Sequence, residues 1–168
     1  MWKKLIFFII AIVIILLSLG TSWYLYKDTY YYNSAIKNGN HNACLKISQD
    51  LKVSVCLSNI AFSKNDLNLC SNSPKMYIMT CYQIFAEKGG DILKCQEVNP
   101  QVDEYNCYIA FAKAKMSVSI CNALTEEKKD YCYQGVAIVS NDVSICNSLP
   151  ESSIYKPTCA RDVAQQNP

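Results

Sequence analysis

Ten cysteines are the residues of this 168-residue chain whose type and spacing could do chemistry. They stand at positions 44, 56, 70, 81, 95, 107, 121, 132, 146 and 159. A thiol can serve as nucleophile, metal ligand or half of a disulfide. Redox exchange typically uses a Cys-x-x-Cys motif, and closed zinc sites favour similarly short spacings, which the chain lacks. Structural bridges fit best, because an even number of regularly spaced cysteines marks a disulfide framework built in an oxidising compartment.

The other candidates are sparse. His41 is the sole histidine. As ligand or base it has no histidine partner, and it reads as a solvated turn residue, which leaves most histidine-based hydrolytic schemes without their parts. Asp103 with Glu104, and Glu126 with Glu127, open helices whose dipoles favour negative charge there. Gly89-Gly90 lacks the surroundings of a phosphate loop and reads as a helix terminator. Tyr82, Tyr108 and Tyr133 are a candidate aromatic binding ladder, although, repeated one per unit beside a cysteine, they fit packing between hairpins better. No catalytic residue, metal, cofactor or small-molecule substrate is expected.

The cysteines are positioned by a repeat. Their steps are 12, 14, 11, 14, 12, 14, 11, 14 and 13, and the first cysteines of successive pairs lie 25 or 26 residues apart. A fixed period of this size is the signature of a stacked helical array. Counted from the second cysteine of each pair, the fifth residue on is Ala61, Ala86, Ala112, Ala137 or Ala164, and the next residue is Leu57, Tyr82, Tyr108, Tyr133 or Ala160. The tenth is Asp66, Asp91, Ser117 or Asp142, each a good helix N-cap. One period earlier the register lands on Tyr30, with Tyr31, Ala35 and Asn40 at the matching places. The array therefore opens with a half-unit in which Tyr30 replaces a cysteine.

Each unit is predicted to be a hairpin. A short helix of about two turns starts at the cap and carries its cysteine four residues later. It ends near Ile47, Val98, Leu124 or Leu149. Turns such as Ser73-Pro74, Asn99-Pro100 and Leu149-Pro150 then start the longer helix, since proline suits the first helical position. The short helix could not persist alone in water. Pairing Cys95 with Cys107 puts the two sulfurs at similar distances from the intervening turn, as an antiparallel helix pair requires. The scheme 44–56, 70–81, 95–107, 121–132 and 146–159 uses every cysteine. The shifted scheme strands Cys44 and Cys159. Each closed loop is worth about 3 kcal/mol in the chain-entropy account.

Ahead of the repeats, residues 5 to 26 hold no charge. As a helix they span about 33 Å, enough to cross a bilayer core. Trp23, Tyr24 and Tyr26 stand where an interfacial aromatic belt belongs, and Lys3 and Lys4 hold the N-terminus inside. The expected layout is a cytoplasmic start (1–4), a transmembrane anchor (5–26), a capping half-repeat (27–43) and a cysteine-stapled repeat domain (44–168). Signal cleavage near Ser18-Leu19-Gly20, with secretion, is the alternative. Lys3 and Lys4 are two of the 16 basic residues, and the other 14 balance 14 acidic ones. A neutral domain with one arginine does not suit nucleic acid.

Paired cysteines stapling successive helical hairpins over residues 30 to 164 resemble the secreted cysteine-rich, Sel1-like relatives of tetratricopeptide repeats, at a shorter period. That resemblance implies a protein-binding scaffold and assigns no site residue. The expectation is an all-α, membrane-anchored array outside the cytoplasm that binds another envelope protein. A self-assembling subunit of a surface complex is the second expectation.

Overall fold

A computed structural model describes residues 10, 12–14, 23, 26–99 and 101–166. Among these residues the secondary structure is entirely helical. Helix α1 covers residues 26–38. It is followed by α2 (His41–Cys44), α3 (Asp50–Lys64), α4 (Ile78–Glu87), α5 (Gln101–Ala114), α6 (Glu126–Ser140), α7 (Ser144–Asn147) and α8 (Lys156–Ala164). The expected cytoplasmic start and most of the expected anchor lie outside the described residues. Among the described residues no helix is long and apolar enough to cross a membrane.

The short arms are tighter than expected. In three hairpins they are 3₁₀ segments, Leu67–Asn72, Ile92–Glu97 and Val118–Ala123, and in the other two they are the four-residue α2 and α7. The cause is local. Asn40, Asp66, Asp91 and Asp142 each accept the backbone N–H two residues on, which turns the chain sharply. Ser117 instead pairs its hydroxyl with that of Ser119 at 2.8 Å. At the far end, the residue three after each first cysteine returns its N–H to that cysteine's carbonyl. Ile47, Ser73, Val98, Leu124 and Leu149 do so at 3.1, 2.9, 3.2, 3.1 and 3.2 Å. Six residues held between two such turns make a 3₁₀ segment, which is used in short pieces.

The long arms end by a shared device. Gly39, Asn65, Met116 and Asn141 adopt positive φ of 60°, 51°, 49° and 54°. The following N–H then reaches back to the buried alanine: Asn40 to Ala35, Asp66 to Ala61, Ser117 to Ala112 and Asp142 to Ala137, all at 2.9–3.0 Å. This is a six-to-one helix stop. In the second hairpin Gly89 takes the turn one residue early, and a side chain on Gly90 would be driven into the Phe85 ring.

The proline-led starts need correction. Pro74 opens only a 3₁₀ turn (Lys75–Tyr77) before α4 begins. Pro150 opens no helix at all, and Pro157 in the first turn of α8 takes that role. Leu149 closes the turn that begins at Cys146, and Pro150 begins another that Ser153 closes with an N–H to the Pro150 carbonyl.

The long arms lie side by side, parallel and in register. Phe85 and Phe111 hold equivalent places on α4 and α5, and their rings meet at 6.1 Å. Tyr32 on α1 accepts from Asn59 on α3, and Gln134 on α6 donates to Thr158 and Asp162 on α8. Alanine at the crossing point lets the helices approach closely. Ala35, Ala61, Ala86, Ala112 and Ala137 are buried, whereas Ala164 of the last hairpin is exposed.

Candidate binding surface

Five bridges join Cys44–Cys56, Cys70–Cys81, Cys95–Cys107, Cys121–Cys132 and Cys146–Cys159, as the turn geometry requires. Cα–Cα distances of 5.6–5.7 Å recur in all five, so each hairpin repeats the same cross-link. Every cysteine is buried and none is free. The sulfurs are thus core material and not available chemistry. Among the described residues no group of three or more potential metal ligands converges.

The candidate tyrosine ladder is not an open surface, and the row packs within the stack. Tyr82 is fully buried, its hydroxyl 3.4 Å from that of Ser71, which follows the first cysteine of its hairpin. Tyr133 makes the equivalent bond to Asn122 at 3.2 Å. These hydroxyls tie long arm to short arm beside the disulfide. Burial pushes the Tyr82 phenol up to about 12, against the Ser71 bond, with Asp103 adding to the rise. Tyr108 is half-buried and packs against two successive core clusters, as Tyr133 does further along. They are struts of the stack.

The aromatic row that runs through the array is a different one. Phe62 meets Phe85 at 5.9 Å, edge to face, and Phe85 meets Phe111. Its signal was available in the fourth position after the second cysteine, which holds Ile60, Phe85, Phe111, Val136 and Val163, all buried.

Alpha-1 docks through a buried acid. Asp28 accepts the Ser48 backbone N–H at 2.9 Å and the Ser48 hydroxyl at 2.7 Å. Burial raises its carboxyl, but the Ser48 bonds, Lys52 and the Gln49 N–H outweigh that and hold it below the ordinary carboxylate value. Beside it, the ammonium groups of Lys27 and Lys46 lie 5.9 and 5.7 Å from the Tyr31 ring centre. Trp23, Tyr26, Lys27, Tyr30 and Tyr31 line an open cleft of about 450 Å³. A smaller cleft of about 230 Å³ between α6 and the following short arm is lined by Glu126, Lys129, Asp130, Tyr133 and Leu149. His41, half-buried at the start of α2, joins neither cleft. Glu126 and Glu127 are exposed in the first turn of α6.

What this arrangement offers is shape: a stack of cross-linked hairpins with small open clefts, one of which gathers Glu126, Lys129 and Asp130. No protein-family model, characterised protein or solved structure matches the chain.

Proposed function

We propose that the protein is a membrane-anchored, extracytoplasmic helical-repeat scaffold that holds another envelope protein against its stacked hairpins. The observation that carries this is the burial of all ten cysteines as five equivalent bridges in one parallel stack. Such cross-links belong to an oxidising compartment and make short arms rigid that would otherwise melt. Repeat stacks present extended surfaces suited to binding other proteins. Residues 5–26 supply the anchor, with Lys3 and Lys4 inside and the array outside. No enzymatic role is assigned.

The second reading is a self-assembling subunit, in which the hairpin stack continues into another copy of the chain. Purification of the full-length chain from native membranes without reductant separates the two. A heterologous protein recovered in fixed ratio supports the scaffold, and recovery of copies of the chain alone supports self-assembly. Carbonate washing tests the anchor: the full-length chain stays with the membrane, whereas release of a species starting near Thr21 establishes cleavage.

A further inference from the structure

Because the long arms are parallel and in register, one edge of the stack gathers all the turns that lead from short arm to long arm. The Asp28–Ser48 bonds place the start of α1 at that same edge. The opposite edge carries the stops at Gly39, Asn65, Gly89, Met116 and Asn141.

The residue five before the second cysteine lies on the first edge. It is Leu51, Met76 and Ile154 in the first, second and fifth hairpins, and they are 51%, 84% and 76% exposed. Met76 and Ile154 are the most exposed large apolar side chains among the described residues. Val102 stands there in the sequence of the third hairpin, and Glu127 in the fourth. One period before Leu51 is position 25, at the end of the charge-free run and between Trp23 and Tyr26, which are 69% and 64% exposed.

Tyrosine follows the same edge. All 12 tyrosines fall between six residues before and two residues after the second-cysteine position of their long arm, Tyr30 being that position in the half-unit. None lies in the far half. Tyr82, Tyr108 and Tyr133 are taken up by the stack, but Tyr26, Tyr30 and Tyr131 are exposed there. Tyrosine and tryptophan favour the boundary between lipid and water, where the ring is dry and the hydroxyl or indole N–H is wet. Apolar side chains left open to water cost free energy, which entry into an interface recovers.

We infer that the array lies along the outer face of the membrane with this edge down, seating Leu51, Met76 and Ile154 at the lipid–water boundary level with Trp23. The inference rests on the anchored reading proposed above: α1 rises from the bilayer, the other long arms run parallel to it, and the stack extends sideways over the lipid. Exposed Lys75, Glu126, Glu127 and Glu151 stand among these apolar side chains on the same edge, and the domain's balanced charge suits a zwitterionic surface. The edge with the helix stops then faces away from the membrane, open to a partner.

The test uses the full-length oxidised chain in phosphatidylcholine vesicles, with or without bromine on the acyl chains near the headgroup. A Trp2→Phe chain keeps Trp23 as reporter of the anchor. A Trp2→Phe/Trp23→Phe background carries one new reporter at a time: Met76→Trp, Ile154→Trp, or Leu93→Trp on the opposite edge. All three sites are more than half exposed, so the stack tolerates the indole. The expected result is loss of emission in brominated vesicles for Trp23 and for the Met76→Trp and Ile154→Trp variants, with the Leu93→Trp variant unchanged. Loss for Trp23 alone overturns the inference and leaves the anchor standing. Equal loss at Leu93→Trp also overturns it. No loss anywhere, Trp23 included, overturns the anchor and the inference together.

Discussion

Asp28 and Ser48, 20 residues apart, are joined twice, with each carboxylate oxygen taking one bond from the serine. This places a buried negative charge over the free N–H groups that precede α3, a helix cap supplied by another helix. It ties α1 to the first stapled hairpin where no disulfide reaches.

The carboxyl's lowered pKa sets a direction. A carboxylate held below its unfolded value adds stability above that value, about 3.9, and loses it as pH falls through the folded one. Protection of the Ser48 amide in hydrogen exchange should therefore be full above about pH 5 and decline in strong acid. Asp28→Asn should lower stability at neutral pH and remove that dependence, since the amide can still meet Ser48 but brings no charge to the N–H groups ahead of α3. Amide exchange mass spectrometry over residues 28–48 checks both.

Ser73 occupies the place where the other hairpins put Ile47, Val98, Leu124 and Leu149. It is buried, and its hydroxyl has no hydrogen-bond partner among the described residues. Ser73→Val keeps the backbone bond to Cys70 and removes an unsatisfied hydroxyl. An increase in stability of about 1 kcal/mol is expected, read as a higher denaturation midpoint.

Met116 ends α5 in the left-handed region that the other hairpins reserve for Gly or Asn. Its side chain is exposed, so little packing is lost on replacement. Met116→Gly should raise stability by about 1 kcal/mol. Met116→Val, β-branched at the same angle, should lower it. Thermal unfolding of the two variants against the parent chain checks the sign.

Much of this could be read in the cysteines, because a bridge needs two residues equidistant from one turn and only one pairing meets that need throughout. The crossing alanines were legible by the same register. The 3₁₀ form of the short arms was not, since caps at Asp66 and Asp91 announce a helix start without saying how tightly it winds. Pro150 misled because it begins a turn closed by Ser153, and α8 starts only at Lys156, with Pro157 in its first turn. The Asp28–Ser48 cap left no periodic trace, being a single contact between distant residues. Packing by the tyrosines was legible from their place beside each second cysteine, whereas the partner of the Tyr82 hydroxyl, Ser71, was not.

Removing one bridge should act locally. Replacing Cys95 and Cys107 together by serine should speed exchange in Ile92–Glu97 and in adjoining turns of α5, because repeat stacks couple to nearest neighbours. The hairpins closed by Cys44–Cys56 and Cys146–Cys159 should keep their protection. Exchange rates measured peptide by peptide give the answer.

The scaffold claim is tested most directly by recovering the full-length oxidised chain from native membranes with its partner bound, then reducing the five bridges and blocking the thiols. The expected result is a protein partner in fixed ratio with the oxidised chain that is released when the hairpins lose their staples. Retention of the partner by the fully reduced chain would contradict the account and assign binding to a linear segment or to the membrane helix.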